Sequence, residues 1–464
     1  MYLGRYIDSL LGTARRKLGM SFARRQLRVP RRAFHTPVVR IHALFAPPRW
    51  RRTIVHWRHA RCLRVMRILL IAPQPFFAQR GTPINVRQMA QTLCEAGHEV
   101  HLATYPMGEP VHIPGLVIHR ALPIPGVRTV PIGFSWRKVA LDIGLALRVW
   151  PLIAGRRFDV VHAVEESVFF ALPAASARGI PVIYDLDSWM SDQLAYGGRV
   201  KNKAILRLLR RMERRALRRS SLAITVSASL SEAVHAMEPT VRVAQIEDCP
   251  LDEALRAPDL SNVAMLRERF EIGQRKAIVY TGNLESYQGI DLLLDAFTRV
   301  AAARADVVLV LVGGSSPQIE STRARAAALG VGERVVLTGQ RPADEMPEWM
   351  AMGDVLVSPR LHGGNTPLKL FSYMWSAVPI VATDLPTHTQ VLDASAAVLR
   401  APTPDAMANG ILAVLDDPAR FASIGAAARA RVAKDYSREA FSRKLLAAYD
   451  SIAPGVRSSV ATSM

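Results

Sequence analysis

From Met66 onward the chain alternates short apolar runs with longer amphipathic stretches. Arg67–Ala72, Glu99–Thr104, Phe158–Ala163, Pro181–Tyr184 and Leu222–Val226 are largely apolar and too short for helices. Such runs read as strands of a parallel sheet buried on both faces, with the stretches between them as helical crossovers. A less regular passage covers about Glu247–Gly273, and the rhythm then restarts with Lys276–Thr281, Val307–Val312, Val335–Thr338, Asp354–Ser358 and Pro379–Thr383. This predicts an α/β chain of two doubly wound, Rossmann-like domains in tandem, facing across a cleft at the carboxyl ends of their strands. The expected divisions are a basic extension over 1–65, a first Rossmann-like domain over 66–250, a second over 270–434 and a strap helix over 435–453, where Ser437–Ile452 is amphipathic.

Composition adds bounds. Half of the 464 residues are hydrophobic and 21% are charged, so a sizeable core is expected and a disordered or fibrous chain is not. The most apolar stretch, Val139–Gly155, is interrupted by Asp142 and Arg148, which argues against a membrane span. Cys62, Cys94 and Cys249 make no CxxC pair and leave one thiol over, which suits a reducing, cytoplasmic compartment.

The net charge of +21 is unevenly placed. Residues 1–65 hold fifteen Arg and Lys17 against Asp8 alone. This segment lacks the apolar core of a secretory signal. Three readings stay open: sequence upstream of a start at Met66, a basic arm lying on anionic lipid or nucleic acid, or an organelle transit peptide poor in serine.

Four blocks lie where strands run into loops facing the crevice. The first is Gln79-Arg80-Gly81-Thr82-Pro83, ahead of a helix over Ile84–Ala96; Gly81 permits close backbone approach and a helix start attracts an anion. The second is Tyr280–Phe297, read as strand, polar loop and helix. The third is Val335–Pro342, which contains Arg341. The fourth is Asp354–Met374, with Gly363-Gly364-Asn365-Thr366-Pro367 ahead of a helix carrying Lys369.

Over about 385 residues, Met66 to Ile452, these ordered blocks resemble the family 4 glycosyltransferases, GT-B enzymes that transfer a sugar from a nucleotide diphosphate with retention of configuration. The resemblance implies a nucleotide-sugar substrate, no further cofactor and no metal. Several positions depart from the family pattern. Where the family has two cations touching the donor diphosphate, Asn283 and Gln288 stand; the Glu-x7-Glu positions are Gly364 and Ser372; His-x-His reads His162-Ala163-Val164, followed by Glu165-Glu166. A cation about 4 Å from a phosphate is worth on the order of 4 kcal/mol at an effective dielectric near 20, so the losses need replacement. Thr366 is a suitable N-cap and Pro367 a suitable first helical residue, which puts Lys369 in the first turn beside a diphosphate cradle, with Arg360 or Arg80 as further cations.

The expected donor side is therefore Gly81, Thr82, Asn283, Gln288, Arg341, Gly363, Gly364, Asn365, Thr366 and Ser372. Glu165, Glu166 and Lys369 are the expected catalytic groups, and Asp185 and Asp187, at a strand end, are expected on the acceptor side. The histidines show no metal-ligand spacing. The expected activity is that of a metal-independent hexosyltransferase acting on a lipid-linked or glycan acceptor in cell-envelope synthesis. A competing reading, prompted by the lost charges, is a GT-B scaffold that retains only nucleotide or glycan binding.

One segment concerns partners. Arg199–Arg219 has ten Lys or Arg against Glu213, with Ile205, Leu208, Leu209, Met212 and Ala216 at helical spacing. It reads either as a domain helix whose stripe packs on the sheet, or as a basic face for an anionic membrane, placing the protein peripherally on the inner face of the cytoplasmic membrane. No element of the core pairs aromatics with that basic helix, so nucleic acid is not an expected partner.

Overall fold

In the computed structural model, residues 65–78, 81–127, 130, 135–196, 202–250, 252–363 and 365–452 are described. The first domain runs β1 (Arg67–Ala72), α1 (Gly81–Glu95), β2 (Glu99–Thr104), β3 (Leu116–Arg120), α2 (Trp136–Gly155), β4 (Val160–Val164), α3 (Val168–Ala177), β5 (Val182–Leu186), α4 (Met190–Tyr196), α5 (Lys203–Arg219), β6 (Leu222–Thr225), α6 (Ala228–Met237) and β7 (Val243–Gln245). The second runs α7 (Leu260–Arg269), β8 (Lys276–Thr281), α8 (Ile290–Ala303), β9 (Val307–Val312), α9 (Ser316–Ala328), β10 (Val335–Gly339), α10 (Met346–Ala351) and β11 (Val355–Ser358). It continues through α11 (Lys369–Ser376), β12 (Ile380–Thr383), α12 (Pro386–Thr389), β13 (Val398–Arg400), α13 (Pro404–Asp416) and α14 (Pro418–Asp435). The chain closes on α15 (Arg438–Ile452).

Both sheets are parallel throughout. Their orders are β3-β2-β1-β4-β5-β6-β7 and β10-β9-β8-β11-β12-β13. In each, the chain winds outward from a central strand and then crosses to that strand's other side, so the order reverses between β1 and β4 and between β8 and β11. Loops leaving such paired strands diverge and open a crevice. The central strands are buried on both faces: Ile68–Ala72 and Val307–Val312 have almost no exposure.

On one face of the first sheet, α2, α3, α5 and α6 bury Leu141, Leu145, Val149, Ala171, Leu217 and Val234. On the other, α1 packs with α15 through Val86, Met89, Leu93, Phe441, Leu445 and Tyr449. Helix α15 is thus fixed on the first domain after the second is complete, with Arg438 bonding Glu95 and Asp252 and Lys444 bonding Glu247.

The strands β3, β7 and β13 go beyond the expected pattern. They are edge or near-edge strands of three to five residues with polar positions, such as His119 and Arg120 in β3, so they lack a continuous apolar run. The stripe expected on α5 also needs correction. The helix buries Glu213, Ala216 and Leu217, leaving Ile205, Leu208 and Met212 on the surface. Glu213 can turn inward because the backbone N–H and the hydroxyl of Ser191 both donate to its carboxylate, at 3.0 and 2.8 Å.

Candidate active site

The second domain builds its side of the crevice from the loops after β8 and β11. Gly282 and Gly289 have φ of 134° and 75°. A Cβ on Gly289 would stand 2.0 Å from the Pro359 carbonyl oxygen, so glycine allows the two loops to touch. Asn283 is spent on this local fold: its carbonyl accepts from the Tyr280 hydroxyl at 2.6 Å and its side chain accepts from the Glu285 amide. Gln288 is buried and accepts at 3.4 Å from Lys369 Nζ, which lies 3.7 Å from the centre of the Tyr280 ring.

Arg360 stands beside this ammonium. Its guanidinium, 8% exposed, donates to the His362 carbonyl at 2.7 Å and to Asn365 Oδ1 at 3.0 Å, 5.4 Å from the Tyr287 ring centre. Gly363, with φ 128°, makes room: a Cβ there would meet Arg360 Nη2 at 2.1 Å. Burial and the charge of Arg360 hold the Lys369 pKa well below the usual lysine range, and burial likewise lowers that of Arg360. Among the described residues neither cation has an acidic partner. Beneath them, His388 bridges β11 and β12: one ring nitrogen donates to the Thr383 carbonyl at 2.8 Å and the other accepts from the Ser358 hydroxyl at 2.8 Å. Thr383 in turn donates to the Arg360 carbonyl, so this buried histidine fixes the loop that carries the guanidinium.

Thr366 does not cap the helix as its position suggested. Helix α11 begins at Lys369 with Leu368 as N-cap, because the Leu370 and Phe371 amides close a turn onto the Pro367 and Leu368 carbonyls. Lys369 remains in the first turn, and the Thr366 hydroxyl is buried without a partner. Ser372 lies one turn on from Lys369 and is half-buried. Arg341 is engaged elsewhere: it pairs with Glu345 at 2.9 Å after β10, at the sheet edge two strands from β8. Gly364 and Arg80 lie outside the described residues.

The first domain answers with carboxyl groups. Gly81 and Thr82 open α1 after β1, and Glu165 and Glu166 form a 3-10 turn after β4, pinned by the Ser167 hydroxyl bonding the Ile71 carbonyl. Glu165 takes a left-handed φ of 49°, an unfavourable backbone for a residue with a Cβ. The two glutamates differ in pairing: Glu166 pairs with Lys138 of α2 at 2.6 Å, while Glu165 lies in the field of that ammonium and of the Glu166, Asp187 and Asp185 carboxylates. Burial, reinforced by the neighbouring carboxylates, pushes Glu165 and Asp187 up to about 8 and Asp248 to about 7. The charge of Lys138 works the other way on Glu165, as a hydrogen bond from Thr82 does on Asp187. Asp185, Asp187 and Asp248 each keep one buried oxygen without a partner.

His162 accounts for the other oxygen of Asp185. Its ring bonds Asp185 at 3.1 Å and the Tyr449 hydroxyl of α15 at 2.7 Å, joining the strap to the crevice floor. Leu368, next to Lys369, packs against both the core of the first domain and that of the second, which sets the cationic group at their junction. Lys138 and His388 escaped the sequence reading: one sits in an amphipathic helix far from any motif, the other in a short turn, and only the fold carries them to the site.

Two family models cover much of the chain: one described as glycosyl transferase 4-like domain matches residues 80–247 and one described as glycosyl transferases group 1 matches 275–417. The chain belongs to the family 4 glycosyltransferases. It is 33% identical over 181 residues to a GDP-mannose-dependent α-(1-6)-phosphatidylinositol monomannoside mannosyltransferase of Mycolicibacterium smegmatis, over 37% of this chain and 47% of that protein. The chain thus spans about half the length of the first curated relatives it matches. A phosphatidyl-myo-inositol mannosyltransferase of the same organism is matched more widely, at 25% identity over 83% of this chain and 94% of that protein. Among solved structures, the Anabaena protein HepE in complex with UDP superposes with a TM-score of 0.67 at 16% identity, over 83% of this chain and all of that one. WaaG, a glycosyltransferase involved in lipopolysaccharide biosynthesis, gives 0.64 at 15% identity, over 84% of this chain and all of that one. The architecture of this family 4 member is GT-B.

Proposed function

We propose that this glycosyltransferase is a metal-independent, retaining hexosyltransferase that uses a UDP- or GDP-sugar and a lipid-linked or glycan acceptor of the cell envelope. One observation carries the reading: Lys369 and Arg360 converge at the β8/β11 switch point with no acidic partner among the described residues. Two like charges in a part-buried crevice are unfavourable by themselves, and an anion between them removes the penalty. A nucleoside diphosphate fits that demand, with the backbone at Gly282 and the start of α11 adding dipoles of the right sign. The names of the relatives, GDP-mannose-dependent enzymes and a UDP complex, favour a nucleotide donor, and the phosphatidylinositol acceptors of the former favour a lipid acceptor here.

The chemistry follows from these parts. Lys369 and Arg360 stabilise charge growing on the leaving diphosphate, and positioning of the acceptor hydroxyl on the same face of the sugar gives retention. Glu165 and Asp187, protonated near neutral pH, bond acceptor hydroxyls without repelling the donor phosphates. The test is thermal unfolding with UDP, GDP and their sugars, beside uridine and guanosine. A diphosphate at 100 times its dissociation constant stabilises by about 2.7 kcal/mol, while the nucleosides do much less. No shift with either diphosphate overturns the donor site, and binding without sugar transfer to any lipid or glycan leaves a scaffold that only binds.

A further inference from the structure

The side of the first domain formed by α2, α3 and α5 has the wrong surface for water. Helix α2 buries Leu141, Leu145, Val149 and Leu152 against the sheet, yet its opposite crest is also apolar. Ile143 is 60% exposed, Leu147 55% and Trp150 47%, and Trp136 begins the same line at the first residue of the helix. The Trp150 indole N–H already donates to the Phe170 carbonyl of α3 at 3.0 Å, so its ring can leave water without losing a hydrogen bond.

Helix α3 continues the patch. Its ten residues hold one polar side chain, Ser176; Phe169 and Phe170 are half-buried and Pro173 is exposed. Beyond it, α5 shows Ile205, Leu208 and Met212 on one flank and a basic crest of Arg207, Arg211, Arg215 and Arg218, all exposed. Acidic groups on these helices are withdrawn: Glu213 is buried on Ser191, and Asp142 accepts from the Tyr105 hydroxyl. A cavity of about 330 Å³ lies where α2 and α3 end, with Arg156, Arg157 and Arg178 around it, and its one acid, Asp159, accepts from the Arg67 amide.

We propose that this three-helix side docks on an anionic phospholipid bilayer. Aliphatic and indole groups enter the interface, the α5 arginines meet the headgroup charge, and the three-arginine cavity takes a lipid phosphate. The combination of an apolar crest on the 20-residue α2, continued on α3, with a basic crest on the neighbouring α5 selects lipid over a protein partner, because an anionic bilayer offers apolar interior and negative charge to both at once. Each crossover helix starts at the carboxyl ends of the strands, so Trp136 and Lys203 stand toward the crevice rim, while the arginine cavity lies at the far end of the sheet. A lipid held in that cavity is a tether and not the acceptor. Among the described residues no helix is long and apolar enough to cross a membrane, so docking is lateral.

This inference is independent of the donor site and supplies the surface on which a lipid-linked acceptor would be met. The test is co-sedimentation of the full chain with phosphatidylcholine vesicles with and without about one-third phosphatidylglycerol, the proportion sustaining a surface potential of tens of millivolts. Three variants are compared: Ile143→Ser with Leu147→Ser, Arg207→Gln with Arg211→Gln and Arg215→Gln, and Arg156→Gln with Arg157→Gln and Arg178→Gln. Each residue is exposed, and circular dichroism verifies folding. Binding to anionic vesicles is expected to fall on the order of 10²-fold in each arginine triple and about tenfold in the apolar pair. The basic arm at 1–65 is common to all, so variants that bind as tightly as the parent assign binding to the arm and overturn the proposal. So does a concentration-dependent dimer that the apolar pair abolishes without any change in vesicle binding. Lys369→Met is expected to bind vesicles like the parent, which keeps failure of the donor site distinguishable.

Discussion

Replacing Lys369 by Met tests the donor site most sharply, because stability and ligand affinity should move in opposite directions. Met keeps most of the aliphatic stem between Tyr280 and Gln288 and removes the charge. In the free protein the ammonium is disfavoured by burial and by Arg360, and each unit of a lowered pKa corresponds to about 1.36 kcal/mol. Against this stand the contact with the Tyr280 ring and the 3.4 Å bond to Gln288, together worth about 1–2 kcal/mol. The variant is therefore expected to be as stable as the parent or up to about 2 kcal/mol more stable. With a diphosphate bound, the lost pair is worth about 3–4 kcal/mol, so affinity should fall on the order of 10²–10³-fold. Calorimetric titration with UDP or GDP measures this, with uridine or guanosine as controls whose affinity should barely change. The same titration in buffers of different ionisation enthalpy should show proton uptake by the parent, since Lys369 is more readily protonated beside the anion, and diphosphate affinity should weaken as pH rises. Unchanged diphosphate affinity in the variant, or a loss of stability of several kcal/mol, would refute the reasoning.

Asp187→Asn should stabilise the ligand-free protein. The carboxyl is raised to about 8 in the fold against about 4 when unfolded, so the folded state binds more protons between those values and its contribution to stability is lost as pH rises across that window. At pH 7 the substitution should gain about 1–3 kcal/mol in denaturant titrations and flatten the decline between about pH 4 and pH 8; a less stable variant with an unchanged pH profile would contradict it. Gly363→Ala should weaken diphosphate binding about tenfold or more, because a methyl group at 2.1 Å must push the Arg360 guanidinium from its place, and should also cost about 1–3 kcal/mol of stability for an alanine at a φ of 128°. Parent-like affinity in that variant would remove Arg360 from the site.

Much of this protein was legible in its sequence, because parallel strands buried on both faces leave apolar runs that no other element explains. The expected bounds of β1, β2, β8 and β9 match the structure, and the other central strands shift by a residue or two. The alternation of strand and helix sets the parallel sheets, and the parallel sheets set where a crevice opens. The short edge strands were not legible, since two or three polar positions in five residues are compatible with loop. Nor was the division of labour within the site. Glu165 and Glu166 are adjacent in sequence and alike in chemistry, but Glu166 forms an ion pair with Lys138, 28 positions away, while Glu165 is also placed within reach of carboxyls at the end of β5. Asp185 is drawn toward α15 through His162 and Tyr449, a contact spanning most of the chain. The orientation of α5 was decided the same way: its apolar periodicity suggested one buried face, and a hydrogen-bonded pocket for Glu213 selected another. Hydrophobic pattern determines elements because burial depends on each residue's own side chain. Site electrostatics and helix rotation depend on which partners arrive from distant segments, and only the tertiary structure decides that.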